Sequence, residues 1–480
     1  MNRAAIKKLE FIARKLEPSE SDRVAARKEV VTYSEKFLNN IEHIKAFNEK
    51  HDKGKGLWKA PISEKPLSIK KAIRLIEKSV DHPALNPASG GHFGYIPGGG
   101  LYYSSLGDYL AAITNRYAGI FYAGPGAVRM ENILISWTAK ISGYPSACGG
   151  NLTSGGSIAN LIGICTARDA MNINSKNIRQ SVIYLSPQVH HSINKALRIA
   201  GLGECIVRHL VLDDRYRIDS KKLEQQIRDD KKKKLNPFLV IASAGTTDVG
   251  AVDPLKDIGI ISKKHKMWYH IDAAYGGYFM LTKAGKAKLQ GLELSDSLSI
   301  DPHKGLFLPY GLGIVLVKDR KKMSATHFYQ ANYMQDSFSE IDEPSPCDLS
   351  PELTKHFRGL RMWLPLQLHG LKPFRACLEE KLLLTKYFYR EIKNLGFETG
   401  PEPDLTVVTY RFVPDKGDAD VFNKKLLEAV KRDGRVFISS TVLNGKFTLR
   451  FACLSFRSHL ATVDCLLEIL KSAKAKLERA

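Results

Sequence analysis

The stretch MWYHIDAAYGG, Met267 to Gly277, decides the fold. It lacks the polar alternation of a half-exposed strand, so it reads as a strand covered on both faces. Asp272 closes the run, followed by Ala273 and Ala274. A carboxylate in such surroundings is costly unless something cationic meets it, and the small residues beside it leave room for a flat group. Working outward, PFLVIASAG lies upstream across the helical pattern DPLKDIGIISKKH, and SLSID and GIVLVK lie downstream. Farther upstream, SVIYLS and ECIVRHLVL alternate with GSIANLIGICTARDAM, HSINKALRIAG and SKKLEQQIRDD. Doubly covered strands separated by helices predict a largely parallel sheet in an α/β domain, whose active site gathers at the carboxyl ends of the strands.

On either side of this core the pattern changes. Residues 1–80 are expected to form a helical arm, with Ile6, Leu9, Ile12 and Leu16 on one stripe and Val30, Phe37, Ile41 and Ile44 on another. An arm of that kind cannot bury its stripes alone, so it is expected to pack on the main body or on a second subunit. Residues 81–370 are assigned to the large α/β domain. Residues 371–480 are assigned to a smaller α+β domain built around LTVVTYRFVP and GKFTLRFACLSF.

With 480 residues, 44% of them hydrophobic, the chain can bury a large core. No apolar run approaches the roughly 18 to 20 residues of a membrane span, and the Met1 region lacks a signal-peptide core. A soluble, cytoplasmic protein without a membrane partner is therefore expected. The 7 cysteines are scattered and never in a CxxC spacing, which suits a reducing compartment and gives no metal site. Lysine and arginine number 72 against 50 acidic residues, a net charge of +22. A basic protein that binds nucleic acid without a cofactor is the rival reading this raises. Yet the bases are dispersed, and the dense run DDKKKKLNP reads as a solvated turn, so the charge is assigned to solubility or to steering of an anionic substrate.

Chemistry collects at the strand ends. In NLTSGGSIANLIG, Gly155, Gly156 and Ser157 open a helix, where exposed N–H groups and the helix dipole make a seat for phosphate. SPQVHHSINKA puts His190 and His191 directly after a strand, and SAGTTDVGAVDP puts Thr246 and Thr247 after another. Lys304, in SLSIDPHKGLFLPYG, is flanked by an apolar segment, the setting in which a lysine serves as a Schiff-base nucleophile. A phosphate seat, an acid for a ring nitrogen, an imidazole for a ring face and an imine-forming lysine are together the requirements of pyridoxal 5′-phosphate.

The motifs HIDAAYGG and DPHK, in this order after the glycine loop, resemble those of the group II pyridoxal-phosphate-dependent decarboxylases, which include aromatic-amino-acid, histidine and glutamate decarboxylases. The resemblance covers roughly residues 60 to 460. It implies a fold type I enzyme with a mostly parallel mixed sheet, acting as a homodimer on a small-molecule substrate, an L-amino acid and most readily an aromatic one, and releasing the amine and CO2. By that resemblance Lys304 joins the cofactor, His303 lies near its phosphate with Gly156, Ser157 and Ile158, and Asp272 meets the ring nitrogen. Ala274 and His190 would take the two ring faces, and Thr247 the ring's 3′ oxygen. Tyr333, in FYQANYMQDS, matches the loop tyrosine that protonates the substrate carbon, with Tyr329 as the alternative. In LTKHFRGLRMWLPLQLHG, Arg358 and Trp363 are in register with the family's basic-aromatic helix start.

Two departures stand out. Asp301 occupies the position where these decarboxylases commonly carry asparagine, and Asp301, His303, Lys304, Pro309 and Gly311 also resemble the sphingosine-phosphate lyases, making a C–C lyase the alternative enzyme. In GGHFGYIPGGGLYYSS, Tyr95 and Pro97 match the family's substrate region, while Gly98 stands where a threonine is usual, which on sequence could widen the pocket. Phe93, Phe121 and Tyr122 are the candidates for an aromatic substrate wall.

Overall fold

The computed structural model describes residues 2–49, 53–96, 98–329 and 343–479. Among these, a seven-stranded sheet runs in the order Gly149–Thr153, Gly313–Val317, Ser297–Ile300, Trp268–Asp272, Asn236–Ser243, Ser181–Leu185, Ile206–His209. Gly313–Val317 is antiparallel to both neighbours, and the pairs from Ser297–Ile300 to Ile206–His209 are all parallel. The sheet is thus mixed and mostly parallel, as expected of fold type I.

Its inner strands are buried almost throughout because both faces are covered, while the edge strand Ile206–His209 alternates between partly buried and exposed. In Asn236–Ser243, Leu239 and Ile241 enter one core with the helices Gly156–Ala170 and His191–Ile199, whereas Val240 and Ala242 enter another with Leu255, Ile258 and Tyr278. Successive side chains of a strand point to opposite faces, so a run without alternation is what two covering layers demand.

The C-terminal part holds a second sheet, in the order Glu398–Thr399, Val407–Arg411, Lys446–Ala452, Phe437–Leu443, His92–Phe93. Phe388, Leu426, Phe451 and Leu466 fill its core. Here the structure modifies the expected division of the chain. His92–Phe93 pairs in parallel with Phe437–Ile438, so part of the segment assigned to residues 81–370 belongs to the small domain's sheet. The strand is only two residues long and carries no periodic signal, so nothing local announces where it docks.

The arm contains the helices Arg3–Ala13, Glu20–Asn39 and Ile69–Ile76, none with a buried residue. Leu9, Phe11, Ile12 and Leu16 stay exposed, Leu16 at 89%. Of the two places expected for these stripes, the body of the same chain is therefore not the one used by the first helix. Among the described residues no helix is long and apolar enough to cross a membrane.

Candidate active site

The strand Ser297–Ile300 delivers Asp301 to its carboxyl end, and Pro302 opens the short helical turn Pro302–Gly305. Proline suits a first helical position because its missing N–H has no acceptor there anyway. The turn presents Lys304, and Phe307, in the left-handed region at φ 60°, bends the chain away behind it. Leu306, Phe307 and Leu308 are buried, as the apolar flank foretold. The amine is not in an apolar setting, however: Lys304 Nζ lies 3.2 Å from Asp301 Oδ2. The apolar flank carries no sign of this partner, which comes from Asp301, three residues before the lysine. His303 donates through Nδ1 to Leu312 O at 2.5 Å, and its Nε2 is 3.7 Å from Asp301 Oδ2.

One parallel strand over, Trp268–Asp272 ends in Asp272, whose carboxylate accepts from Ala274 N at 3.1 Å, Ser299 Oγ at 3.2 Å and Asn160 Nδ2 at 3.0 Å. Donors from three elements let a carboxylate remain buried without a counter-ion in contact. Asn160 also accepts from His270 through Oδ1 at 2.9 Å, and His270 Nδ1 meets Ser297 Oγ at 2.8 Å. Burial pushes the His270 imidazole down to about 4, so it is a neutral link that orients Asn160.

Beside Asp301 and His303, Gly155 adopts φ 145° and releases the helix Gly156–Ala170. The N–H of Ile158 is used by Gly155 O, while the first N–H groups of any helix lack intrahelical acceptors and suit an anion. Gly156 is required by contact: a Cβ there would lie 2.9 Å from Asp301 Oδ2 and 3.1 Å from the Ala274 methyl. His190 caps the helix His191–Ile199 and accepts from Ser192 N through Nδ1 at 3.2 Å. Burial is the main influence holding its imidazole below the usual histidine range, countered by Asp272.

Thr247 is fixed from the small domain. Arg450, buried on the strand Lys446–Ala452, donates to the carbonyls of Thr247 at 2.5 Å, Asp248 at 3.0 Å and Tyr95 at 2.8 Å, and to Ser439 Oγ at 3.0 Å. Desolvation pushes this guanidinium down to about 10.

These residues enclose a cavity of about 270 Å³ lined by Gly156, Ser157, Ile158, His190, Thr247, Asp272, Ala274, His303 and Lys304, together with Asp301 and others. The set fits pyridoxal phosphate. A helix start with a serine faces the phosphate need, an acceptor carboxylate the ring nitrogen, an imidazole and a methyl the ring, and an amine the aldehyde.

The expected substrate wall is not assembled. Phe93 is fully buried in the small-domain core, 4.7 Å from the Phe451 ring centre, because its strand joins that sheet. Phe121 lies beneath the Arg129 guanidinium, and Tyr122 is exposed; neither they nor Tyr95 lines the cavity. Gly98 does not widen a pocket, since a Cβ at 98 would overlap the carbonyl oxygen of His303. Tyr329 is exposed, and Tyr333 and Pro97 lie outside the described residues.

The sequence reading missed Asn160, Ser299 and Arg450. Asn160 had a signal: Gly156, Asn160 and Gly163 recur at helical spacing as a small or polar stripe on an otherwise apolar helix. A Cβ on Gly163 would come within 3.0 Å of the His270 ring, so this stripe is the face pressed on the strand ends. Arg450 had none, because its acceptors are backbone carbonyls.

Comparison with known proteins agrees with this geometry. Residues 55–413 match the family described as the pyridoxal-dependent decarboxylase conserved domain. The aromatic-L-amino-acid decarboxylase of Bacillus atrophaeus is 32% identical over 406 residues, 83% of this chain and 82% of that one. Tyrosine decarboxylase 2 of Arabidopsis thaliana is 31% identical, over 81% of this chain and 74% of its own. The crystal structure of Oryza sativa TDC with PLP and tryptamine superposes with a TM-score of 0.90 at 23% identity, over 96% of this chain and 99% of the other, a likeness of fold.

Proposed function

This chain belongs to the pyridoxal-dependent decarboxylases and is a pyridoxal-phosphate-dependent amino-acid decarboxylase, and we propose that its substrate is an aromatic L-amino acid. The observation that carries the substrate class is the 32% identity across 83% of the chain to a relative named for aromatic substrates. Membership of this family leaves the lyase and nucleic-acid readings without support.

Pyridoxal phosphate, when bound, supplies an electron sink for the pair left behind as CO2 departs. We assign the surrounding roles as follows. Lys304 provides the amine that anchors the aldehyde, and Asp272 holds a proton at the ring nitrogen. Gly156, Ser157, Ile158 and His303 seat the phosphate, Ala274 and His190 bracket the ring, and Thr247 meets its 3′ oxygen. Tyr333 is proposed to deliver a proton to the substrate α-carbon. We also propose a homodimer. The bare apolar stripe of Leu9, Ile12 and Leu16 supports it, as does the placement of Phe121 and Tyr122 away from their own cavity, where a second subunit's site could use them.

The test is a panel of L-amino acids assayed for CO2, amine, aldehyde and oxygen uptake. An aromatic member should give amine and CO2 in equal amounts, with kcat/KM about a hundredfold above glutamate or an aliphatic diamino acid. Preference for an acidic or aliphatic substrate overturns the assignment, and aldehyde with oxygen uptake shows the site diverted to oxidation. Within the same panel, Tyr333→Phe should slow amine formation while the cofactor absorbance persists.

A further inference from the structure

Asp301 is the charged residue of this cavity to which the roles above give no task. Its side chain is 2% exposed, and Oδ1 has no hydrogen-bond partner among the described residues. Two glycines enclose the carboxylate. A Cβ on Gly313 would lie 2.8 Å from Oδ1, and one on Gly156 would lie 2.9 Å from Oδ2. The backbone is therefore shaped around this group, and the group is directed at Lys304, 3.2 Å away.

A carboxylate removed from water needs a cation or a full set of donors, as Asp272 has and Asp301 lacks. The charged and titratable groups around it are few. Lys304 and His303 come from its own turn, the latter at 3.7 Å with Nδ1 already committed to Leu312 O. His190 also lines the cavity, its imidazole held below the usual histidine range chiefly by burial, and the Tyr278 hydroxyl senses Asp301 from the covering layer. Lys304 is the direct partner.

We propose that Asp301 is the positioning residue for Lys304, the counter-ion that holds its ammonium group in place whenever the lysine is not joined to the cofactor. That condition arises in the empty enzyme, and again each time substrate displaces the lysine. The exchange would conserve protons: the two that the substrate's ammonium nitrogen gives up are the two that the departing lysine nitrogen takes on. Asp301 receives the resulting ammonium ion as an ion pair and keeps it beside the reacting atom. The inference rests on the assignment of Lys304 as the anchoring lysine.

The experiment uses cofactor-free full-length protein and reads acetylation of Lys304 by limiting acetic anhydride at about pH 8, with peptide mass spectrometry. An amine held in an ion pair is not free to attack, so Asp301→Asn should raise the Lys304 rate at least about tenfold against exposed lysines of the same molecule. The thermal midpoint monitors folding, and Asp301→Ser, expected to give the same rise, stands in if the amide variant does not fold. A Lys304 rate within twofold of wild type in a folded variant overturns the proposal. Borohydride reduction of the loaded wild type, followed by peptide mapping, separately tests the anchoring lysine: cofactor on another residue defeats that assignment whatever Asp301 does.

Discussion

The floor of the cavity and the glycine-rich segment that packs against the lysine turn are built in opposite ways. The floor, at the ends of Trp268–Asp272 and Ser297–Ile300, is made of polar side chains converging from three elements, with Asn160, Ser299 and Ala274 N all meeting Asp272. That segment, residues 90–96 and 98–101 and called the rim here, is fitted by its backbone and contributes no residue to the described cavity lining. Cβ atoms at Gly90, Gly91 and Gly98 would each overlap a carbonyl oxygen, of Arg457, Arg435 and His303 respectively. Gly100 N and Leu101 N donate to Phe307 O at 2.9 and 3.1 Å, closing the rim onto the lysine turn. The floor specifies chemistry through the side chains it has, and the rim specifies position through the side chains it lacks.

The sharpest way to break this contrast is Gly98→Ala. If the rim is contact, the new methyl displaces the His303 carbonyl and moves Lys304 with it. The expected result is a loss of at least about a hundredfold in kcat/KM, since displacements near 1 Å at a reacting group cost that much, together with weaker retention of the cofactor. Activity and cofactor absorbance near wild type would mean that Gly98 fronts spare room.

A second, smaller effect separates the buried ring of the rim from a partly covered ring outside it. Phe93→Ala removes a fully buried ring tilted against Phe451 and should cost about 3–5 kcal/mol in urea unfolding. Phe121→Ala should cost under about 1.5 kcal/mol, since the ring is only partly covered. Unchanged stability in Phe93→Ala with a raised KM would return Phe93 to the substrate wall and undo the distinction.

The contrast also explains what could be read from the sequence. The floor was legible because each element announces itself twice, as a doubly covered apolar run and as a reactive residue where the run stops; Asp272 and Lys304 both follow this rule. The fold followed from the same runs. The rim was misread because a glycine gives no direction: Gly98 looks identical whether it opens a pocket or admits a neighbouring carbonyl. Phe93 was misread for a related reason, since a two-residue strand gains its identity from Phe437–Leu443, more than 300 residues away, and not from its own pattern. Asp301 was noticed as an anomaly, but its pairing with Lys304 depends on a turn geometry that the four letters DPHK leave open.

The smallest expected effect sharpens the comparison through pH, because each side buries one histidine. His270 in the floor and His92 at the rim are both pushed down to about 4, chiefly by desolvation. A folded value below the unfolded value of about 6.5 means that the native state favours the neutral ring. Its contribution to stability is then fully present above about pH 6.5 and is lost as pH falls toward 4. Each ring should steepen the decline by up to about 1.4 kcal/mol per pH unit in that window. Urea midpoints measured from pH 7 to 5 should therefore fall in wild type, and His92→Leu should remove a substantial part of the slope while leaving the cofactor's absorbance intact. If the slope is unchanged in His92→Leu, the rim histidine is solvated on this timescale, and the rim is looser than the floor it closes.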